Sequence, residues 1–67
     1  TMTQIQEDDI LMQATLEFGV DYYYEIKKTG LGLALVINAV TKRRASELRK
    51  RVPGTYEGLY TMVTYNS

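Results

Sequence analysis

The stretch VDYYYEIKKTGLGLALVINAV, Val20 to Val40, decides the fold. Its first half is rich in β-branched and aromatic residues, the types that suit a pleated, half-buried surface. Val20, Tyr22, Tyr24 and Ile26 alternate along one face, and Leu33, Leu35, Ile37 and Ala39 alternate in the same way after Thr29-Gly30. Folding the chain at Thr29-Gly30 sets Ile26 opposite Leu33, Tyr24 opposite Leu35 and Tyr22 opposite Ile37. The two apolar faces then coincide, as cross-strand pairing requires. A β-hairpin is the expected structure. A competing reading makes Leu31 to Val52 one long helix, because Ala34, Ile37, Thr41, Ala45, Leu48 and Val52 form a stripe at steps of three and four.

Outward from this stretch, the signals are helical on both sides. Upstream, Ile10, Leu11, Ala14 and Phe18 recur at helical spacing, with Glu7, Asp8 and Asp9 where a helix N-terminus favours acids and Gly19 as a stop. This predicts a helix from Asp8 to Phe18, with residues 1–7 a flexible lead. Downstream, TKRRASELRKRV (Thr41 to Val52) predicts a second helix whose inner side is Ala45, Leu48 and Val52, ended by Pro53-Gly54. The last segment, TYEGLYTMVTY, reads as one strand with Leu59, Thr61, Val63 and Tyr65 on one side and Tyr56, Tyr60 and Met62 on the other. The expected fold is a single small α+β domain over residues 1–67, in the order α-β-β-α-β, with an antiparallel sheet packed on two helices.

Composition narrows the function classes. The 67 residues include no Cys and no His, which removes disulfides, thiolate or imidazole zinc sites and the usual catalytic bases and nucleophiles. Chains below about 70 to 80 residues often enlarge a small core by association, so a homodimer is expected. Glu7, Asp8 and Asp9 would suit a hard cation, but they are more simply explained by the electrostatics of a helix N-terminus. TGLGLA lacks both the three-glycine fingerprint and the Lys-Ser/Thr ending of phosphate loops. The expectation is therefore a non-enzymatic protein with no cofactor and no metal. The apolar run Leu31 to Val40 is too short to span a bilayer, and the acidic, polar N-terminus does not read as a signal peptide, so a cytoplasmic location is expected.

Charge is divided along the chain. Residues 1 to 26 carry six acids and no base, whereas residues 27 to 52 carry eight bases and one acid. Six of the eight bases fall within Thr41 to Val52. On a helix, Lys42, Arg43, Arg49 and Lys50 would form a basic surface, while Arg44 and Arg51 flank the apolar side and cover it with their stems. Such a surface suits the DNA or RNA backbone, or an acidic protein surface. It suggests a small regulatory or architectural nucleic-acid-binding protein. Part of the cluster also complements the helix dipole and needs no partner. The second functional reading is a protein-interaction module using Tyr23, Tyr56, Tyr60 and Met62, since aromatic rings bury much area at low entropy cost. Tyr23 would lie beside Asp21 and Glu25, which repel phosphate.

Leu35 to Leu48, LVINAVTKRRASEL, resembles the central segment of the omega subunit family of bacterial RNA polymerase through Leu35, Val36, Ala39, Lys42, Arg43, Ala45 and Leu48. The stretch Thr41 to Arg44 is one residue longer than that pattern. The resemblance implies an all-helical accessory subunit of a larger complex, and it favours the long helix over the hairpin.

Overall fold

The computed structural model describes residues 4–65, with side chains described from residue 6. The element order is α1 (Gln4–Phe18), β1 (Tyr23–Thr29), β2 (Gly32–Ala39), α2 (Lys42–Arg49), β3 (Thr55–Tyr56) and β4 (Leu59–Tyr65). The fold is α+β, with two helices and a four-stranded sheet ordered β1-β2-β4-β3. Helix α1 starts four residues before the expected Asp8. Of residues 1–7, residues 1–3 lie outside the described residues, and Gln4 to Glu7 belong to the helix.

Val20 to Val40 forms the hairpin. The long-helix reading, and the all-helical fold implied by the resemblance to the omega subunit, are overturned by strand β2, which pairs along its length with β1. The register differs from the expected one by two residues: Tyr24 faces Ile37, Ile26 faces Leu35 and Lys28 faces Leu33. A shift of two keeps every side chain on its expected face, because the strand period is two. The Thr29 side chain sets the turn. Its hydroxyl accepts from Leu31 N–H (3.2 Å) and donates to Gly32 C=O (2.7 Å), so the loop residues are Gly30 and Leu31.

The expected sheet was antiparallel throughout. The β1–β2 and β3–β4 pairs are antiparallel, but β2 and β4 run parallel, with Ala34 beside Tyr60 and Ala39 beside Tyr65. A parallel pair needs a crossover, and α2 supplies it. The C-terminal segment is not one strand but a tight β3–β4 hairpin. Its turn residues Glu57 and Gly58 both have positive φ, 52° and 81°, as a type I′ turn requires. Thr61 continues the pairing: its N–H donates to Gly54 C=O and its hydroxyl to Pro53 C=O.

Thr41, just before helix α2, caps it by accepting from Arg44 N–H at 3.1 Å. The helix is shorter than the expected Thr41 to Val52. After Arg49 the chain tightens into a turn whose N–H groups from Lys50 to Val52 bond back to Glu47 and Leu48 carbonyls. Pro53 disfavours helical backbone at Val52 and has no N–H to bond the Arg49 carbonyl, so the helix cannot resume beyond this turn.

Both helices pack on one side of the sheet. The core there is Ile10, Ala14 and Phe18 of α1, Leu35 and Ile37 of β2, Leu48 of α2 and Leu59 of β4. Tyr24, Ile26, Val52, Tyr56 and Val63 border it. Leu35, Ile37 and Leu48 are its largest fully buried side chains. No helix among the described residues is long and apolar enough to cross a membrane.

Candidate interaction surfaces

Strand alternation puts a second set of side chains on the face of the sheet away from the helices. In rows across the strands these are Tyr23, Asn38 and Thr64; Glu25, Val36 and Met62; and Lys27, Ala34, Tyr60 and Thr55. Tyr60 and Met62 are neighbours on β4, Val36 lies beside Met62, and Tyr23 sits diagonally from Val36. The result is one oblique apolar stripe. Tyr23 is 69% exposed, Tyr60 49% and Met62 46%. A groove of about 650 Å³ adjoins the stripe, lined by Thr29, Leu31, Ala34, Gly54, Tyr60 and Met62 among others.

Three of the four residues expected at a protein interface, Tyr23, Tyr60 and Met62, therefore share this open face. Tyr56 does not. The Glu57-Gly58 turn reverses the chain, so Tyr56 pairs with Leu59 and joins the helix side. Its ring meets Phe18 at 5.4 Å between centroids, tilted by 60°, an edge-to-face type of packing. Burial, then the nearby Glu17 carboxylate, raises its phenol pKa. Val36 belongs to the stripe; the hairpin pairing read from the sequence placed it beside Tyr23, but it was not among the expected interface residues. Met12, Leu16 and Val20 form another exposed apolar set, at four-residue steps along the outer side of α1 and just past it.

The basic cluster splits into two halves. Arg44 pairs with Asp21 at 3.2 Å, with both side chains well exposed. Arg49 donates to Val63 C=O at 3.1 Å, and Arg51 to Phe18 C=O, in the last turn of α1, at 3.3 Å. Arg44 and Arg51 thus link α2 and the turn after it to the end of α1 and the loop that follows. Lys42, Arg43 and Lys50 are exposed, and their side chains make none of the described polar contacts. Arg43 and Lys50 project directly away from Ala45 and Leu48, accompanied by Ser46 and Glu47. Of the four residues expected to bind phosphate, Arg49 is thus partly committed within the fold. The basic and apolar surfaces lie on opposite sides of the domain.

Tyr24, on the helix side of β1, donates to Gly19 C=O at 2.6 Å. Burial pushes its phenol pKa up to about 12, with Tyr22 and Asp21 adding to the rise and Arg51 opposing it. A further open groove of about 740 Å³ lies between α1, the β1–β2 loop and the β3–β4 turn. Its carboxylates are Asp9 and Glu57. Among the described residues, no three acids are grouped to hold a metal ion.

The fold and surfaces define a two-layer α+β domain with one helix-covered and one open sheet face. No protein-family model, curated protein or solved structure matches the chain.

Proposed function

We propose that this chain is a non-enzymatic protein-interaction module that docks an apolar protein surface on its open sheet face. The observation that carries this reading is the contiguous stripe of exposed Tyr60, Met62 and Tyr23 with partly buried Val36, presented by the sheet rather than by a loop. Scattered apolar residues on a surface need no explanation, but a connected patch points to an interface. Its aromatic and methionine content matches the residues enriched at interface centres. Glu25 and Lys27 border it with one charge of each sign, which favours a partner of low net charge over a polyanion.

A second reading has its own support. The side chains of Lys42, Arg43 and Lys50 make none of the described intramolecular polar contacts, and they would engage the DNA or RNA backbone or an acidic protein surface. Three phosphate contacts give a modest, salt-sensitive affinity without base reading.

The two readings are tested together. A tagged wild-type chain is compared with a Tyr60→Ser/Met62→Ser variant and a Lys42→Ala/Arg43→Ala/Lys50→Ala variant, with circular dichroism confirming that each is folded. The first reading expects a partner protein that is lost with the sheet-face variant and kept by the basic-face variant. Partner retention by the sheet-face variant sinks it. The second expects labelled random DNA or RNA to bind at about 50 mM salt, weaken at about 200 mM, and fail with the basic-face variant. Equal binding by that variant removes it.

A further inference from the structure

We infer that two copies of this chain join through the outer edge of β1, forming a continuous eight-stranded sheet about a two-fold axis at Ile26. This edge borders the open face, to which Tyr23, Glu25 and Lys27 of β1 belong, but the inference does not rest on the function proposed above.

The argument starts from where the backbone groups point. Thr61 N–H donates to Gly54 C=O, so odd-numbered residues of β4 turn their backbone groups toward β3 and even-numbered ones toward β2. Backbone direction alternates along a strand. Carried across the sheet, this makes the odd residues of β2 face β4 and its even residues face β1. The even residues of β2 pair with Tyr23, Glu25, Lys27 and Thr29, so those four face inward. Tyr24, Ile26 and Lys28 therefore aim their N–H and C=O groups out of the sheet. β1 is the terminal strand, and none of the described hydrogen bonds reaches these outward backbone groups.

An antiparallel two-fold pairing must match outward residues with outward residues. Centred on Ile26, it pairs Tyr24 with Lys28 of the second copy and Ile26 with its own equivalent, through backbone hydrogen bonds. All seven residues of β1 find partners. Glu25 then stands opposite Lys27 of the second copy, and Lys27 opposite Glu25, in the closely approaching non-hydrogen-bonded positions. Sliding the register one step in either direction sets Glu25 against Glu25 or Lys27 against Lys27. The sequence Glu25-Ile26-Lys27 thus favours one register and opposes its neighbours. Lysines on an edge strand ordinarily discourage pairing. Here the lysine on the open face has an acid opposite it. The contact is isologous and closed, as most homodimers are, and the part of Ile26 left open at the rim of the core is covered by its own copy.

The test uses the full chain in sedimentation velocity from about 1 μM to about 1 mM, the range suited to a small interface. Wild type is expected to dimerise. Glu25→Lys and Lys27→Glu each replace two attractive pairs with two repulsive ones, and should weaken the dimer roughly tenfold or more. Mixing the two variants in equal amounts should restore a heterodimer, which also shows that both are folded. A wild-type chain that stays monomeric throughout overturns the inference. So does a dimer indifferent to both substitutions, or variants that fail to combine on mixing.

Discussion

The division of the basic cluster makes a sharp prediction about stability. Replacing Arg44, Arg49 and Arg51 with Ala removes contacts that tie α2 to α1 and to β4. The Arg44–Asp21 pair is well exposed, and such pairs contribute about 0.2–1 kcal/mol. The exposed Arg49 bond to Val63 C=O is a single hydrogen bond contributing about 0.5–1.5 kcal/mol. The Arg51 bond is longer, at 3.3 Å, but partly buried and aimed at the carbonyl end of α1, so about 1–2 kcal/mol is reasonable. Together the triple variant loses about 2–4 kcal/mol, against a total near 3–10 kcal/mol for a domain of this size. The matched Lys42, Arg43 and Lys50 triple-Ala variant changes the same net charge but breaks no described contact, and should stay within about 1 kcal/mol of wild type. Urea unfolding followed by circular dichroism measures both. In heat, the first variant should melt at least about 10 °C lower. Equal losses from the two triples would refute the reasoning, because net charge rather than the specific contacts would then govern stability.

Leu48→Ala empties a fully buried position between α2 and the sheet. It should cost about 3–5 kcal/mol, enough to leave the chain largely unfolded by circular dichroism at room temperature. Glu57→Asn should stabilise the domain by roughly 0.5–1 kcal/mol, read as a higher urea midpoint, because Glu57 sits at φ 52°, where Asn is better tolerated in a type I′ turn. Tyr24 keeps its proton to about pH 12 when folded, against 10.0 for an ordinary phenol. Its contribution should therefore be complete below pH 10 and fade as pH rises toward 12. Tyr24→Phe should flatten that alkaline fall in urea midpoint, and an unchanged slope would deny the phenol this role.

The hairpin was legible because two alternating runs, Tyr22 to Ile26 and Leu33 to Ala39, could be overlaid with their apolar faces together. Its register was not, because the turn is held by the Thr29 hydroxyl rather than by a standard turn dipeptide. Gly19 marked the end of α1 locally, whereas Pro53 set the expected end of α2 at Val52, three residues past its end at Arg49. The β3–β4 turn was hidden because Glu57 is an unusual residue in left-handed backbone, so YEGLY read as continuous strand and Tyr56 was assigned to the wrong face. The parallel alignment of β4 beside β2 depends on residues far apart in sequence, which local periodicity does not carry. At the candidate surfaces, helical angle foretold that Arg44 and Arg51 would flank the core, but the reach of Arg49 to β4 required that strand's position. Tyr60 and Met62 shared an exposed face by simple alternation.

The parallel β2–β4 pair also bears on how the chain folds. Ala34 meets Tyr60, 26 positions further on, whereas β1 meets β2 across a two-residue loop. The hairpin closes on the microsecond scale of local contacts. The central ladder must first close a loop containing all of α2 and the β3–β4 turn, and that entropy is lost before any ladder bond forms. Nucleation should therefore wait on β4 reaching β2, with Leu35, Leu48 and Leu59 meeting in the same step. In that order of events β2 spends its early life as the edge of a two-stranded ribbon, and the C-terminal strand closes that edge last.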